Sequence, residues 1–234
     1  MTTFDSAADW WRDAASDRGL QLMDQHVAAD ADWDTAAKTG AQDFDRALQL
    51  TGMPTGPQCT ALEIGCGAGR MTGALAQRFG QVVAVDVSEA FIQLARQQCR
   101  SRNVTWRVSS GRDLQAVTAG QFDVAFSYEV FHYLETTVLE RYIQDVYQAL
   151  KTQGVFVLQL NTEPLRWLTR ASLLVRYGLH GCGKKYWRGW PTSPHFIRHT
   201  YSAECLAETL RRHGFRVEKL LQPGTRQTWF VAVK

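Results

Sequence analysis

The stretch Leu62-Glu-Ile-Gly-Cys-Gly-Ala-Gly-Arg70 limits what this chain can fold into more than any other. A short apolar run, residues 60–65, enters three glycines at alternate positions, Gly65, Gly67 and Gly69, and a helix candidate over about 69–79 follows. Glycines so spaced serve a bend too tight for side chains. They also let a ligand approach the main chain beside a helix N-terminus, where N–H groups lack partners. Spacing excludes two occupants. A phosphate cradle for ATP or GTP needs a lysine and then Ser or Thr after the last glycine, and neither follows. The dinucleotide fingerprint G-x-G-x-x-G needs a glycine where Arg70 stands. What remains is G-x-G-x-G, with the acidic Glu63 two positions ahead of Gly65.

The rest of the chain gives this bend an α/β setting. Apolar runs at 60–65, 81–87, 104–109, 122–127 and 154–160 read as strands, and helix candidates fall at 69–79, 89–102 and 136–151. Ser88 is the expected N-cap of the second helix, and Thr136 or Thr137 of the third. Strands without strict alternation are buried on both faces, which means a parallel sheet with helices on either side. A helix at 202–213, capped by Ser202, leads to two runs, 215–221 and 228–233, joined by Gln222-Pro-Gly-Thr as a hairpin. The expected fold is therefore α/β: a Rossmann-like doubly wound sheet of seven strands, mostly parallel with an antiparallel C-terminal hairpin. With 234 residues, one domain is expected. Its parts are an N-terminal helical cap (1–57), a cofactor-binding core (59–161), an acceptor lid insertion (162–200), and a C-terminal helix and hairpin (201–234). The cap has scattered anchors at Trp10, Trp11, Leu20, Leu22, Trp33, Phe44, Leu48 and Leu50.

The string LEIGCGAGR resembles the first motif of class I S-adenosylmethionine-dependent methyltransferases, and the likeness continues at fixed intervals. Val85-Asp-Val-Ser88 matches the second block, Asn103–Leu114 the third, Phe122–Leu134 the fourth, and Leu150-Lys-Thr-Gln-Gly-Val-Phe-Val the next, so that residues 59–160 are covered. The resemblance implies S-adenosyl-L-methionine as cofactor and S-adenosyl-L-homocysteine as product. It implies that Glu63, Gly65, Cys66, Gly67, Gly69 and Arg70 surround the amino-acid end and that Asp86 receives the ribose hydroxyls. A carboxylate can accept both hydrogen bonds of a vicinal diol, and Val87 beside it offers an apolar face to adenine. The family's usual adenine-binding Asp falls at Ser110, a departure that passes this contact to a backbone N–H of Gly111 or Arg112. Ser127 would line the pocket with its backbone.

Methyl transfer from a sulfonium mainly requires alignment and exclusion of water, and a hydroxyl acceptor additionally calls for a base. Base candidates follow the fourth strand, at Tyr128, Glu129, His132 and Tyr133, and lie in the insertion at His195 and His199. The i, i+4 spacing of those two histidines also suits a metal on a helix, but no third ligand is evident, so no metal is expected. Five cysteines without a C-x-x-C pair point to reduced thiols. In the insertion, Trp167, Leu168, Ala171, Leu174 and Val175 share one helical face, expected to pack on the domain, with Arg166, Arg170 and Arg176 on the solvated side. Residues 163–200 carry seven basic side chains against one acidic, whereas residues 1–50 carry ten acidic against four basic.

Aromatic plates and cations around Lys184, Lys185 and Arg188 suit a small acceptor that is anionic or sugar-bearing. They suit an anionic lipid surface as well. A net charge of +3 with no RNA-binding module argues against nucleic acid. The reading is O-methylation of such a small or glycosylated molecule. N-methylation, a lipid-linked acceptor, and a protein that binds the cofactor without catalysis stand as alternatives. No run approaches the roughly 20 apolar residues of a membrane span, and the N-terminus lacks a secretory pattern, so a cytoplasmic protein is expected.

Overall fold

The computed structural model describes residues 7–12, 33–114, 117–165, 167–188, 190–196 and 198–234. The side chains of Leu168 and Arg170 lie outside this description, as do Arg166 and the expected anchors Leu20 and Leu22. One sheet is built from seven strands: β1 (Gly56–Ile64), β2 (Phe79–Asp86), β3 (Val104–Val108), β4 (Phe122–Tyr128), β5 (Leu150–Leu160), β8 (Arg216–Leu221) and β9 (Thr228–Val233). Their order across it is β3-β2-β1-β4-β5-β9-β8. The first five pair in parallel. β9 runs antiparallel to both β5 and β8, so it inserts between them and is the one reversed strand of the sheet. A two-strand ribbon, β6 (Tyr186–Trp187) with β7 (Trp190–Pro191), lies in the insertion, where no strand was expected.

Helices cover both faces. On one side α4 (Thr136–Ala149) and α6 (Ala203–Arg212) bury Leu139, Ile143, Val146, Leu206 and Leu210 against Leu62, Ala125, Phe156 and Phe230. On the other, α1 (Trp33–Thr51) and α2 (Thr72–Arg78) bury Phe44, Ala47 and Leu75 against Ala61, Val124, Val157 and Trp229. Adjacent strand residues thus enter opposite cores, which is why the runs are apolar without alternation. Between β2 and β3 runs α3 (Glu89–Gln98), capped by Ser88, whose hydroxyl accepts from Phe91 N–H at 3.4 Å. Ser202 caps α6 through Cys205 N–H in the same way.

Some boundaries differ from those expected. α2 begins at Thr72 rather than 69, because the glycines hold positive φ (Gly65 +76°, Gly67 +54°, Gly69 +86°), outside the helical range. α3 stops at Gln98, where Cys99 is extended, and not at 102. α4 ends at Ala149, since Leu150 already pairs with Phe122 as the start of β5. Its N-cap is Glu135, with Thr136 as the first helical residue, and no side chain caps it. Pro194–Phe196 forms a single 3-10 turn, so His195 and His199 do not share a helix.

The insertion carries α5 (Trp167–Gly181), and its orientation reverses the expectation. Trp167, Ala171, Leu174 and Val175 face solvent, whereas Arg176 turns inward. The Arg176 guanidinium donates to Pro191 O and lies 5.8 Å from the centroid of Phe196. Arginine can pack its planar group on an aromatic ring while its terminal nitrogen donates to a carbonyl, so it serves as the anchor of this face.

Candidate active site

The bend joining β1 to α2 forms the floor of a deep cavity at the carboxyl edge of the sheet, where open α/β sheets bind ligands. Its shape is fixed from several directions. Gly65 and Cys66 N–H donate to Val85 O at 2.7 and 3.1 Å, and Gly69 N–H to Cys66 O at 2.9 Å. A side chain on Gly65 would meet Val130 at 2.2 Å, and one on Gly40 of α1 would meet Arg70 O, also at 2.2 Å. Arg70 in turn pairs with Asp43 of α1 at 2.7 Å, and its guanidinium lies 5.6 Å from the Tyr128 ring centroid. The N-terminal helix therefore braces the bend from behind.

Two carboxylates border the cavity, Glu63 buried and Asp86 half-buried. Glu63 accepts from the Thr72 hydroxyl at 2.7 Å, and burial pushes its pKa up to about 7 despite that bond and nearby Arg70. Asp86 accepts from Gly67 N–H at 2.8 Å and from Ser88 N–H at 2.9 Å, which ties the ends of β1 and β2 together. Burial raises its pKa too, against the pull of those amides. Anionic groups desolvated in this way suit a ligand that brings a cation and a diol, and S-adenosylmethionine has both. The main chain of Gly65 and Gly67, apolar Val87 and Phe91, and the Gly111 loop complete this lining.

Cys66 lies on the same wall, and burial beside Asp86 and Glu63 keeps its thiol protonated, well above the ordinary range. Gly69 lies behind the lining, and Ser127 is buried with its hydroxyl donating to Ile64 O. Ser110 and Arg112 stand in an exposed turn, where Ser110 Oγ accepts from Arg112 and Asp113 N–H. Ser109, one residue earlier, and Gly111 are the positions of that loop that reach the cavity.

At the other end of the cavity lie Tyr128, Glu129, Tyr133, Arg198, Arg226 and Gln227. Glu129 adopts φ +59°, a left-handed conformation that costs a residue with a side chain about 1–3 kcal/mol unless its surroundings enforce it. Gln159 enforces it: Oε1 accepts from Glu129 N–H at 3.0 Å, and Nε2 donates to Glu129 Oε1 at 2.9 Å and to Arg226 O at 3.0 Å. Glu129 Oε2 faces Arg198 at 3.9 Å and His132 Nε2 at 3.7 Å.

His132 is fully buried behind Glu129, outside the lining. Asn161 N–H donates to its Nδ1 at 3.4 Å, which leaves the proton on Nε2, a buried atom with no hydrogen-bond partner among the described residues and 3.7 Å from Glu129 Oε2. Burial, with Arg198 and His199 nearby, holds this imidazole neutral, well below its usual pKa. His195 is not part of the cavity, and His199 borders a second hollow with Asn161, Thr169, Arg198 and Arg226. Among the described residues, no group of three His, Cys, Asp or Glu is arranged to hold a metal.

The roof comes from residues 7–12. Ala7, Ala8 and Trp11 line the cavity, and Trp11 meets Tyr133 edge-on at 5.2 Å. A side chain on Gly111 would meet Ala8 at 2.4 Å, and Arg12 donates to Ser110 O. The sequence marks Trp10 and Trp11 as anchors of a cap but not where they close, because the contacts span about a hundred residues. Gln159 did leave a signal, as a polar residue inside the apolar run Val155–Leu160.

Residues 61–154 match the family model described as a methyltransferase domain. A probable S-adenosylmethionine-dependent methyltransferase of Saccharomyces cerevisiae is 26% identical over 47% of this chain and 38% of its own length. The nodulation protein S of Sinorhizobium fredii is 28% identical over 62% of this chain and 68% of its own. The chain thus spans well under two thirds of the first relative and about two thirds of the second. A crystal structure of a SAM-dependent methyltransferase from Aquifex aeolicus superimposes with a TM-score of 0.60 at 19% identity, covering 87% of this chain and 98% of that one. With the glycine bend, its paired carboxylates and this sheet order in one place, residues 61–154 form a methyltransferase domain of the kind found in class I S-adenosylmethionine-dependent methyltransferases.

Proposed function

We propose that the chain methylates a hydroxyl of a small anionic or sugar-bearing acceptor and that Glu129 is the base. The observation that carries this is the fixed carboxylate at the acceptor end: a strained backbone, a two-way amide clamp from Gln159, and an oxygen on the cavity wall. Bound S-adenosylmethionine supplies a methyl group on a positively charged sulfur, and the product is the neutral thioether. Glu63 and Asp86, with the main chain of the bend, hold the cofactor. Tyr133 and Trp11 exclude water from the reacting end. Glu129 takes the hydroxyl proton as the acceptor oxygen forms its new bond to carbon. Gln159 keeps that carboxylate in place from behind.

Arg198 and Arg226 on the same wall fit an acceptor carrying a carboxylate or phosphate. Lys184, Lys185 and Arg188, expected in that role, do not line the cavity.

The test is release of S-adenosylhomocysteine with hydroxyl, amine and anionic sugar acceptors. Glu129→Gln should lower kcat by about 100-fold or more with cofactor affinity unchanged, the usual loss for a general base. Arg198→Ala should raise KM for anionic acceptors alone. Turnover of amines only, indifferent to Glu129→Gln, would make the protein an N-methyltransferase. Cofactor binding without release from any acceptor would make it a binding protein.

A further inference from the structure

Of the six large hydrophobic side chains exposed among the described residues, five lie between 167 and 190: Trp167, Leu174, Val175, Tyr177 and Trp190. Trp167 is 75% and Leu174 71% exposed. On α5, positions 167, 171, 174, 175 and 178 fall within one arc of roughly 100°, and all are exposed. The opposite face holds the helix to the molecule through half-buried Leu173, Leu179 and the anchored Arg176. The helix is thus amphipathic with its apolar stripe outward. In water this is unfavourable, and such a patch marks a contact surface.

The charge beside the stripe indicates its partner. Exposed Lys184, Lys185 and Arg188 adjoin α5, and the insertion's one acidic residue, Glu163, is paired with Arg226 at 3.0 Å. Aliphatic and aromatic side chains beside clustered basic charge are complementary to a surface that is apolar below and anionic above. A nucleic acid would engage the lysines but offers nothing to Leu174 and Val175. We propose that the outer face of α5, with the adjoining lysines, seats this protein on an anionic bilayer. At about 1.5 Å per residue, the 15 residues of α5 reach roughly 22 Å, short of the ~30 Å hydrocarbon core, so the helix lies in the headgroup plane. Thr169 at its root borders the hollow that shares Arg198 and Arg226 with the main cavity, so the seat adjoins the acceptor end. The surface is independent of which atom is methylated.

The test is co-sedimentation of the full chain with vesicles of phosphatidylcholine, alone or with roughly 30% phosphatidylglycerol at about 0.1 M salt. The protein should sediment with the anionic vesicles, remain in solution with the neutral ones, and be released by higher salt. Leu174→Glu, and Lys184→Glu with Lys185→Glu, should each weaken partitioning by about ten-fold or more. Both sites are exposed, so melting temperature and S-adenosylhomocysteine affinity should be unchanged. Failure to sediment with anionic vesicles, or Leu174→Glu behaving as the parent, would overturn the proposal. So would a dimer in analytical ultracentrifugation that Leu174→Glu dissolves, or an RNA oligonucleotide bound in preference to the vesicles.

Discussion

Glu63 illustrates how a single side chain ties binding to pH. Its carboxyl is buried, and its pKa is raised from 4.5 to about 7. A raised acid contributes stability that is complete below its unfolded pKa and lost as pH climbs through the folded one. The ligand-free protein should therefore lose about 3 kcal/mol from this group between pH 4.5 and 7, at about 1.36 kcal/mol per unit. Glu63→Gln should abolish that loss and be the more stable protein at about pH 8 in chemical unfolding. Cofactor binding has the opposite sign, since a cationic ligand needs the ionised carboxylate. Affinity should rise as pH climbs toward about 8 in calorimetry, and Glu63→Gln should flatten the rise. That Glu63 stands beside the glycine bend was legible from its place ahead of Gly65. Its altered acidity was not, because burial is set by the packed surroundings, and Thr72, Arg70 and Asp86 then act on it together.

Elements assemble the site from parts that sequence proximity does not connect. The helical turn at 7–12 closes over the Gly111 loop and sets Trp11 against Tyr133. Trp11→Ala should weaken S-adenosylmethionine binding by about ten-fold while shifting the melting temperature by only a few degrees, as expected when a cover rather than a core is lost. Calorimetry and a thermal melt check both. An unchanged affinity would show that the roof is not part of the site. The same distance explains what sequence reading misplaced. The stripe at 167, 171, 174 and 175 has the spacing of a core-facing helix, and only the docking of Arg176 on Phe196 and Pro191 turned it outward. His132 was a reasonable base by proximity to β4. The 3-10 turn over Phe131–Tyr133 instead puts it behind Glu129, with its backbone O accepting from His199 N–H at 2.7 Å.

Across the whole molecule, cofactor and fold are coupled, because the cavity draws on the bend, β2, the Gly111 loop, β4, the C-terminal hairpin and the N-terminal roof. A ligand bound only by the folded state at about 100 times its Kd adds about 2.7 kcal/mol. For a chain of this size that is a rise of roughly 5–10 °C in Tm, and S-adenosylhomocysteine should produce it. Asp86→Ala should shrink the rise, since it removes the tie to Gly67 and Ser88 that shapes the cavity wall. The sequence by itself determined the α/β alternation, the seven strands of the main sheet, the bend and the carboxylates beside it. Those depend on local conformational preference, apolar periodicity and spacing along one segment. Only the tertiary structure decided that β9 is the reversed strand, that Gln159 clamps Glu129, that Arg198 and Arg226 line the cavity beside Glu129, and that α5 shows its apolar side to solvent. Each of these depends on which distant residues are brought within a few ångströms, and that is a property of the packed chain rather than of any stretch of it.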